Sequence, residues 1–238
     1  MVAKLKHYID ITDAEHKLLG ALEKTERSTS AGEEIFAGGD VNKNLFVVKY
    51  GWLYTYTNLP DGGRLVVRVY HAGDIIGMPA LAFDHHTVNL RAVTKGCLCP
   101  FPKSELDVIV KRAPRITALL FTIAAREEAI LVDTLRAASR MRPESRVAHL
   151  LLGLHARLKI TNSQMGNRFR LPLNQTDIGD AIGLTNVTVS RTFSIMEKKG
   201  LIERVDGEII LIDLCELERQ CDFQDRHAAM DTSWFPSS

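Results

Sequence analysis

The sequence lacks the long hydrophobic runs that mark membrane and secreted proteins. It contains no stretch of about 18 consecutive apolar residues, the length needed for a transmembrane helix. Residues 1–6 have no apolar core of the kind found in signal peptides. These absences predict a cytoplasmic protein with no membrane partner. The 238 residues are 45% hydrophobic and 25% charged, which is typical of a globular chain and favours two domains.

Cysteine is also scarce, and common catalytic signatures are missing. The chain has four cysteines, no CxxC pair, and no cysteine before residue 97. This spacing disfavours a zinc site and an amino-terminal iron-sulfur cluster, so we expect no metal ligands. The sequence has no nucleophile elbow, phosphate-binding glycine loop or HExxH motif, so we expect no enzyme. A redox response is left open at Cys97, Cys99, Cys215 and Cys221.

Positive charge is concentrated in the carboxy-terminal third of the chain. The net charge is only +1, but residues 140–205 contain 11 Lys and Arg against 5 Asp and Glu. Clustered positive charge is what neutralisation of phosphates requires. It indicates a nucleic acid partner only in combination with a binding motif.

Residues 32–102 have the pattern of an antiparallel β structure. Short aliphatic, β-branched or aromatic runs, such as 45–48 and 65–70, are separated by glycine turns. Turns that recur about every ten residues are typical of sandwiches and barrels. The region therefore predicts an antiparallel β-sandwich or jelly roll. The glycine turns lie at Gly32, Gly38, Gly39, Gly51, Gly62, Gly63, Gly73, Gly77 and Gly96.

Residues 112–140 are predicted to form one long helix. The segment has no glycine, and its only proline, Pro114, falls where the first turn of a helix tolerates one. One set of positions recurs at alternating steps of four and three, the spacing of a two-stranded coiled coil. We expect this set to form a dimer seam, although a helix packed only on its own sandwich is an alternative. The set is Ile116, Leu120, Ile123, Glu127, Ile130, Thr134 and Ala137.

The same helix carries apolar residues outside that seam, and its end is marked by a proline. Phe121, Leu131 and Leu135 lie off the seam, so we expect them to pack on the helix's own domain. Pro143 is expected to end the helix and begin a hinge.

Residues 173–198 have the pattern of a helix-turn-helix. A short helix is followed by Gly183, which permits a sharp turn, and by Thr185, which suits the cap of a second helix. In that second helix Val189, Phe193 and Met196 share one face, while the opposite face is largely polar. We expect the apolar face to pack and the other face to enter the major groove of DNA. A helical hairpin that binds another protein is the alternative.

Eight residues of this segment are candidate DNA contacts. Arg191 could bond a guanine or a phosphate, Ser190 and Thr188 could bond phosphate oxygens, and Val187 could touch a thymine methyl. The full set is Asn174, Thr176, Thr185, Asn186, Val187, Thr188, Ser190 and Arg191.

The helix-turn-helix is followed by a predicted wing and a terminal helix. Two apolar runs, 201–205 and 208–212, flank Asp206 and Gly207, a pair typical of a tight hairpin turn. Residues 213–223 have the pattern of a short helix with Leu214, Leu217 and Cys221 on one face. Beyond residue 223 we expect loose order, with Trp234 and Phe235 as possible anchors.

These features, in this order, carry a resemblance to a known family. The motifs concerned are 177–179, 183–185, 188–191 and 198–202 in the DNA-binding region, and Gly51, 61–63 and 73–77 in the β region. Over residues 29–218 the chain resembles the cyclic-AMP receptor protein and fumarate-nitrate regulator (Crp/Fnr) superfamily of bacterial transcription regulators. The resemblance implies an α+β fold, with a cyclic-nucleotide-binding-like jelly roll, a dimerisation helix and a winged helix-turn-helix.

The same resemblance implies partners and a division of labour. It implies a homodimer on a palindromic double-stranded DNA site that activates transcription by contacting RNA polymerase. We expect effector sensing in residues 1–111, dimerisation in 112–140, DNA binding in 141–222 and a tail in 223–238.

The expected effector pocket departs from the cyclic-AMP-binding pattern. Where such relatives have a glutamate for the ribose, this chain has Met78, and where they have an Arg-Ser pair for the phosphate, it has His86 and Thr87. A buried phosphate without arginine lacks its bidentate partner. We therefore expect an effector other than cyclic AMP, or control by abundance. A cyclic-nucleotide-responsive regulator and haem ligation by the loop histidines are alternatives. The candidate pocket residues are Gly77, Met78, Pro79, Ala80, His86 and Thr87.

A second departure lies in the predicted recognition helix. Val187 occupies a position where many relatives carry a glutamate that reads cytosine. Valine accepts no hydrogen bond, so we expect an operator that differs from the commonest family half-site.

Overall fold

The computed structural model describes residues 1–236, except for the side chain of Ala80. The chain divides into two compact units. The first contains residues 1–125 together with the described residues from Met230 onward, and the second contains Arg126–Ala229. The boundary between residues 125 and 126 falls within the long helix, and the chain returns to the first unit at its carboxy end.

The first unit is built on two four-stranded antiparallel sheets. One has the strand order β1-β8-β3-β6 and the other has the order β2-β7-β4-β5. The strands are β1 Arg27–Thr29, β2 Glu34–Phe36, β3 Asn44–Tyr50, β4 Leu53–Asn58, β5 Arg64–Tyr70, β6 Ile75–Ile76, β7 Asn89–Ala92 and β8 Gly96–Pro102. A 3-10 helix, Met78–Ala82, follows β6.

The sheet that contains β3 is covered on both faces. Phe46 and Val48 pack between the two sheets, in a cluster with Leu53 and Leu90 of the other sheet. Alternate residues of the same strand, Leu45 and Val47, face helices. Burial on both faces explains why residues 45–48 are a continuous apolar run rather than an alternating one.

One glycine contact shows why the turns of this unit are rich in glycine. Gly51 has φ +99°, and a Cβ there would lie 2.7 Å from the Cα of Gly96. Two backbones therefore approach so closely that a side chain at residue 51 has no space.

The remaining elements of the first unit are helical. Helices α1 Val2–Leu5, α2 Asp13–Ala21 and α3 Glu105–Arg112 precede the long helix α4 Pro114–Arg140. Ile109, Ile116 and Leu119 are buried in the cluster that covers β3. α4 ends in the second unit, so its first half is a core element of the first unit and its second half is not.

The second unit contains four further helices and a small sheet. The helices are α5 Pro143–Lys159, α6 Gln175–Ile182, α7 Asn186–Lys198 and α8 Leu214–Cys221. Strands β9 Arg168–Arg170, β10 Ile202–Val205 and β11 Glu208–Leu211 form an antiparallel sheet in the order β10-β11-β9. Asp206 and Gly207 join β10 to β11 with φ of +52° and +79°, the backbone that such a two-residue hairpin requires.

The fold class predicted from the sequence is confirmed. The antiparallel β region, the long helix, the helix-turn-helix and the wing are all present. From the sequence we expect a hinge to begin at Pro143, whereas Pro143 is the first residue of α5. The third strand of the wing sheet, β9, was not predicted either.

The face of α4 that is exposed differs from the expected seam. Ile116 and Leu120 are buried in the core of the first unit, and Ala137 is 5% exposed. Ile123, Glu127, Ile130 and Thr134 are half-buried. Buried side chains are not available to a partner, so the expected seam needs correction at Ile116, Leu120 and Ala137, whereas its four half-buried members stay a prediction. The large exposed apolar residues of this helix are Phe121, Leu131, Val132 and Leu135.

The described helices also bear on the question of membrane insertion. Among residues 1–236, no helix combines the length and the apolarity that crossing a bilayer demands.

Candidate nucleic-acid interface

Helix α6 begins with a capping box. The Asn174 side chain accepts a hydrogen bond from the Asp177 backbone N–H at 2.9 Å, and the Asp177 carboxylate accepts one from the Asn174 backbone N–H at 3.4 Å. This reciprocal pair satisfies amides that a helix start leaves without partners. Asn174 therefore has a structural role in addition to its predicted role as a DNA contact. Thr176, in the first turn, is exposed.

The turn between α6 and α7 depends on two glycines. Gly183 ends α6 with φ +67°, and the backbone N–H of Leu184 donates to the carbonyl of Gly179 at 3.0 Å. A Cβ on Gly179 would lie 2.4 Å from the carbonyl oxygen of Leu184. Because that atom belongs to the backbone, any side chain at residue 179 would force the two helices apart.

An arginine from α5 holds the same turn from outside. The Arg146 guanidinium donates to the carbonyls of Ile182 and Gly183, both at 3.3 Å, and to that of Met141 at 2.9 Å. Carbonyls at the end of a helix have no partner within it. Arg146 thus satisfies them and ties the end of α6 to the start of α5.

Helix α7 starts at a threonine cap, as expected. The Thr185 hydroxyl accepts a hydrogen bond from the Thr188 backbone N–H at 3.2 Å and lies 2.9 Å from the Thr188 hydroxyl. These hydroxyls are therefore partly committed to the cap. The contribution of Thr185 and Thr188 is chiefly to orient the helix start.

The two faces of α7 divide as the sequence predicted. Val189, Phe193 and Met196 are 0%, 2% and 0% exposed. On the opposite side Val187 is 61% exposed and Asn186 and Arg191 are also exposed. The helix is thus fixed by its apolar face and leaves its polar face without cover.

A shallow depression brings together four of the eight candidate contacts. Asn186, Val187, Ser190 and Arg191 line it, and Asn174, Thr176, Thr185 and Thr188 do not. Two further residues line the same surface, Gln175 and Ser194. Ser194 lies one helical turn after Ser190 in α7 and is not among the eight candidates. Gln175 was not predicted, because nothing in the sequence shows that the first turn of α6 reaches α7.

Arg191 is the central charged group of this depression. Among the described residues its exposed guanidinium has no hydrogen bond and no ion pair. Arginine side chains on protein surfaces commonly pair with carboxylates, as Arg219 does with Glu216 at 2.7 Å. A free arginine beside a valine and small polar side chains can bond a base edge or a phosphate without first breaking a salt bridge.

The wing is tied to α7 by a partly exposed ion pair. The Arg204 guanidinium donates to both carboxylate oxygens of Glu197, at 2.9 and 2.8 Å, and lies 4.9 Å from the centre of the Phe193 ring. The hydrogen bond from Arg204 lowers the pKa of the Glu197 carboxyl. This bidentate contact orients β10 on the recognition helix.

The region expected to hold an effector has a different character. His86 is buried, and its ring stacks on Phe36 with 3.6 Å between centroids and 8° between planes. Burial lowers the pKa of this imidazole, which favours the neutral form. Thr87 is exposed and Met78 packs partly buried on the helical core cluster. The side chains at the two phosphate-binding positions of the family pattern therefore do not converge as a pair.

Gly77 and Pro79 do not line the depression that His86 and Thr87 border. Gly77 has φ +101°, Pro79 is exposed, and the side chain of Ala80 lies outside the described residues. Of the candidate set, His86 and Thr87 border an open depression formed by residues 81–87.

The cysteines are mostly buried. Cys97, Cys99 and Cys221 are buried, whereas Cys215 is exposed. Burial raises the pKa of Cys97, and it raises that of Cys99 and of Cys221 to about 11. Thiols held protonated are poor nucleophiles. Within residues 1–236 no cluster of three His, Cys, Asp or Glu side chains is placed to hold a metal ion.

Comparisons with protein families match both units. Residues 26–113 match the cyclic nucleotide-binding domain and residues 145–220 match the Crp-like helix-turn-helix domain. The chain is 31% identical to the nitrogen fixation regulation protein FixK of Bradyrhizobium diazoefficiens over 189 residues, 79% of this chain and 78% of the relative. It is 29% identical to the transcriptional activator protein FnrA of Stutzerimonas stutzeri over 198 residues, 82% of this chain and 80% of the relative.

Solved structures give the same result. FixK2 from Bradyrhizobium japonicum superposes with a TM-score of 0.74 at 25% identity, over 82% of this chain and 96% of that one. A CooA mutant from Carboxydothermus hydrogenoformans has the same fold, with a TM-score of 0.67 at 21% identity over 85% of this chain and 90% of that one. The sequence resemblance is thus confirmed, and the chain belongs to the Crp/Fnr family of DNA-binding transcription regulators.

Proposed function

We propose that this regulator binds a palindromic DNA site as a homodimer, with α7 as its recognition helix, and that it activates transcription. The observation that carries the proposal is the presented face of α7. It combines a free arginine with exposed small side chains, and it is backed by a fully buried apolar face. A recognition helix needs this division to enter the major groove without losing its own packing.

Each presented side chain suits a particular part of the DNA. Arg191 bonds the two acceptors of a guanine or holds a phosphate, and Asn186 lies at the amino-terminal end of the helix, where bases are met. Val187 contacts a thymine methyl group, and Ser190 reaches a phosphate oxygen. Gln175 and Ser194 extend this surface along its rim.

The homodimer uses the exposed face of α4 rather than the face expected from the sequence. Phe121, Leu131, Val132 and Leu135 are between 59% and 69% exposed. From Phe121, steps of seven lead to Glu128 and Leu135, and Leu131 and Val132 fall at the intervening positions of the heptad. This is the spacing of a two-stranded seam, and apolar side chains so exposed need a partner.

Two-fold symmetry in the protein implies a two-fold symmetric operator. In such dimers the two recognition helices lie about one turn of DNA apart, roughly 34 Å. We therefore propose two half-sites separated by this distance. Sensing by residues 1–111 and DNA binding by residues 141–222 are then coupled through residues 112–140. Residues 223–238 form a tail.

Activation and its control rest on family membership. A relative is named as a transcriptional activator, which supports contact with RNA polymerase by this chain as well. The effector is proposed to be something other than cyclic AMP, or absent, with control by abundance. The stacking of His86 on Phe36 and the methionine at residue 78 support this, because neither supplies charge for a ribose or a phosphate.

The cyclic-nucleotide alternative has one observation in its favour, the match of residues 26–113 to the cyclic nucleotide-binding domain. Calorimetry with cyclic AMP and cyclic GMP separates the two. We expect no heat of binding from either nucleotide at micromolar concentrations. Tight binding of one of them would overturn the proposal on the effector and leave the DNA-binding proposal intact.

The experiment for the whole proposal is selection of bound sequences from random DNA by the purified protein, with and without reductant. We expect an inverted repeat whose half-sites are one helical turn apart, selected equally under both conditions. Recovery of a single unrepeated site would contradict the homodimer on a palindrome. Recovery of no preferred sequence would contradict the role of α7.

A further inference from the structure

We propose that the carboxy-terminal segment from Met230 to Pro236 belongs to the interface between two copies of this chain, where Trp234 contacts the partner's α4. The inference rests on the proposed homodimer and adds a second element to its interface. From its sequence we expect loose order in this segment, with its two aromatic residues as possible anchors.

The segment is held in a defined conformation on the first unit. Phe235 and Met230 are partly buried against the core cluster that contains Ile116 and Leu120. The Phe235 backbone N–H donates to the carbonyl of Thr232 at 3.1 Å. The backbone N–H and the hydroxyl of Ser233 donate to the Asp231 carboxylate at 2.9 and 2.6 Å. These bonds form a turn, and Phe235 anchors that turn on the core cluster.

The turn places Trp234 beside the first residue of the exposed stripe of α4. The ring centroids of Trp234 and Phe121 are 6.4 Å apart with the planes at 86°, and those of Trp234 and Phe235 are 4.9 Å apart at 79°. Edge-to-face pairs of this kind stabilise one another. Even so, Trp234 remains 53% exposed and Phe121 69% exposed. Two large aromatic side chains therefore touch while each leaves most of its surface uncovered.

A second copy of this chain is the occupant that fits. Phe121 begins a stripe whose further members recur at heptad spacing, so a partner helix that covers Leu131 and Leu135 also approaches Phe121. In a two-fold symmetric interface the same surface occurs on both subunits. The Trp234–Phe121 pair is then present twice, and each Trp234 widens the apolar surface that its partner's α4 meets. Aromatic residues at the edge of a helical seam contribute large buried areas.

The chain allows a direct optical test, because it contains only two tryptophans. In a Trp52→Phe variant, Trp234 is the sole tryptophan, and its emission reports its own exposure. We expect the emission to shift to shorter wavelength as the protein concentration rises through the dimerisation range measured by sedimentation. A Trp234→Ala variant should weaken dimerisation about tenfold or more. Phe83→Ala is the matched control, since Phe83 is 54% exposed in the first unit and directly follows the 3-10 helix Met78–Ala82.

The outcomes distinguish this inference from the proposed function. A dimer whose Trp234 emission stays unchanged, or a Trp234→Ala protein that dimerises as the Phe83→Ala control does, overturns the inference and leaves the homodimer standing. A wild-type protein that is monomeric at all concentrations contradicts the homodimer itself, and this inference falls with it. An emission shift caused by lipid vesicles in a protein that stays monomeric would likewise overturn it.

Discussion

Two helices of this protein present largely exposed faces, and the chemistry of the two faces is opposite. The open face of α7 carries Arg191, Ser194 and Asn186, whereas that of α4 carries Phe121 and Leu135. A polar face with a free guanidinium suits phosphates and base edges, and an apolar face at heptad spacing suits another helix. The side chains left exposed thus indicate the partner better than the amphipathic pattern does, because both helices are amphipathic.

Operator binding by the polar face of α7 requires the rigid turn between α6 and α7. Gly179→Ala tests this requirement, and we expect its effect to be the largest. The added Cβ would lie 2.4 Å from the Leu184 carbonyl oxygen, so α6 and α7 must separate. We expect a loss of about 1–3 kcal/mol in the free energy of unfolding and at least a hundredfold weaker operator binding. Denaturant titration and fluorescence anisotropy measure the two effects.

Gly153→Ala is the control for that substitution. Nothing lies within 4 Å of a Cβ at residue 153 in α5, so alanine should stabilise the helix by up to about 1 kcal/mol. If both variants retain stability and operator affinity, the close contact at Gly179 has no consequence.

A charge on the apolar face tests the other side of the comparison. In Leu135→Lys each dimer would bury two uncompensated ammonium groups in the seam, which is strongly unfavourable. We expect the dissociation constant of the dimer, measured by sedimentation, to rise at least about 100-fold, equivalent to about 2.7 kcal/mol. Val110→Lys on α3 is matched, since Val110 is 55% and Leu135 65% exposed. Equal dimerisation of the two variants would remove the stripe from the interface.

Val187 is the apolar residue among those of α7 that line the depression, and it offers a test of which base is recognised. Val187→Glu introduces an acceptor where valine has none, and glutamate accepts from the amino group of cytosine. Selection from random DNA should return a cytosine at one position of each half-site that the wild type does not prefer. The discrimination should be about 1–3 kcal/mol, and the other positions should be unchanged. An unaltered consensus would show that residue 187 does not face a base.

A further prediction concerns the buried thiols, which belong to neither face. Because burial raises the pKa of Cys99 and Cys221 to about 11, only a small thiolate fraction exists at pH 8. We expect alkylation followed by mass spectrometry to modify exposed Cys215 first and these two at least about 100-fold more slowly. Equally fast modification of all the cysteines would contradict this.

The same shifts set the sign of a stability change with pH. In the unfolded chain the thiols ionise near pH 9, whereas in the folded protein Cys99 and Cys221 remain protonated until about pH 11. The unfolded state therefore binds fewer protons in this window, and the free energy of unfolding should fall as the pH rises through it.

The sequence predicted the DNA-binding end in detail for reasons that are local. The cap at Thr185, the turn at Gly183 and the buried positions Val189 and Phe193 each follow from neighbouring residues. Among the lining residues, Gln175 could not be predicted, since its approach to α7 depends on the crossing of two helices.

Which side of α4 is left exposed could not be predicted from neighbouring residues in the same way. Apolar residues occupy two sides of this helix, and both sets recur at a period near 3.5 residues. Ile116 and Leu120 contact the sheet side of the core, and only the tertiary packing shows that Phe121 and Leu135 are left over. The position of Trp234 is equally non-local, because it lies 113 positions after Phe121 in the sequence.

The most direct test of the central claim is operator binding by Arg191→Ala, with Arg112→Ala as the matched control. Both arginines are exposed, and Arg112 belongs to α3 of the first unit, whereas Arg191 belongs to α7 of the second. With the selected operator in anisotropy titrations at fixed salt, we expect Arg191→Ala to lose at least about 100-fold in affinity, from two lost base or phosphate contacts per dimer, while its sedimentation mass is unchanged. Arg112→Ala should bind like the wild type. Wild-type affinity in Arg191→Ala would contradict the assignment of α7 as the helix that reads DNA.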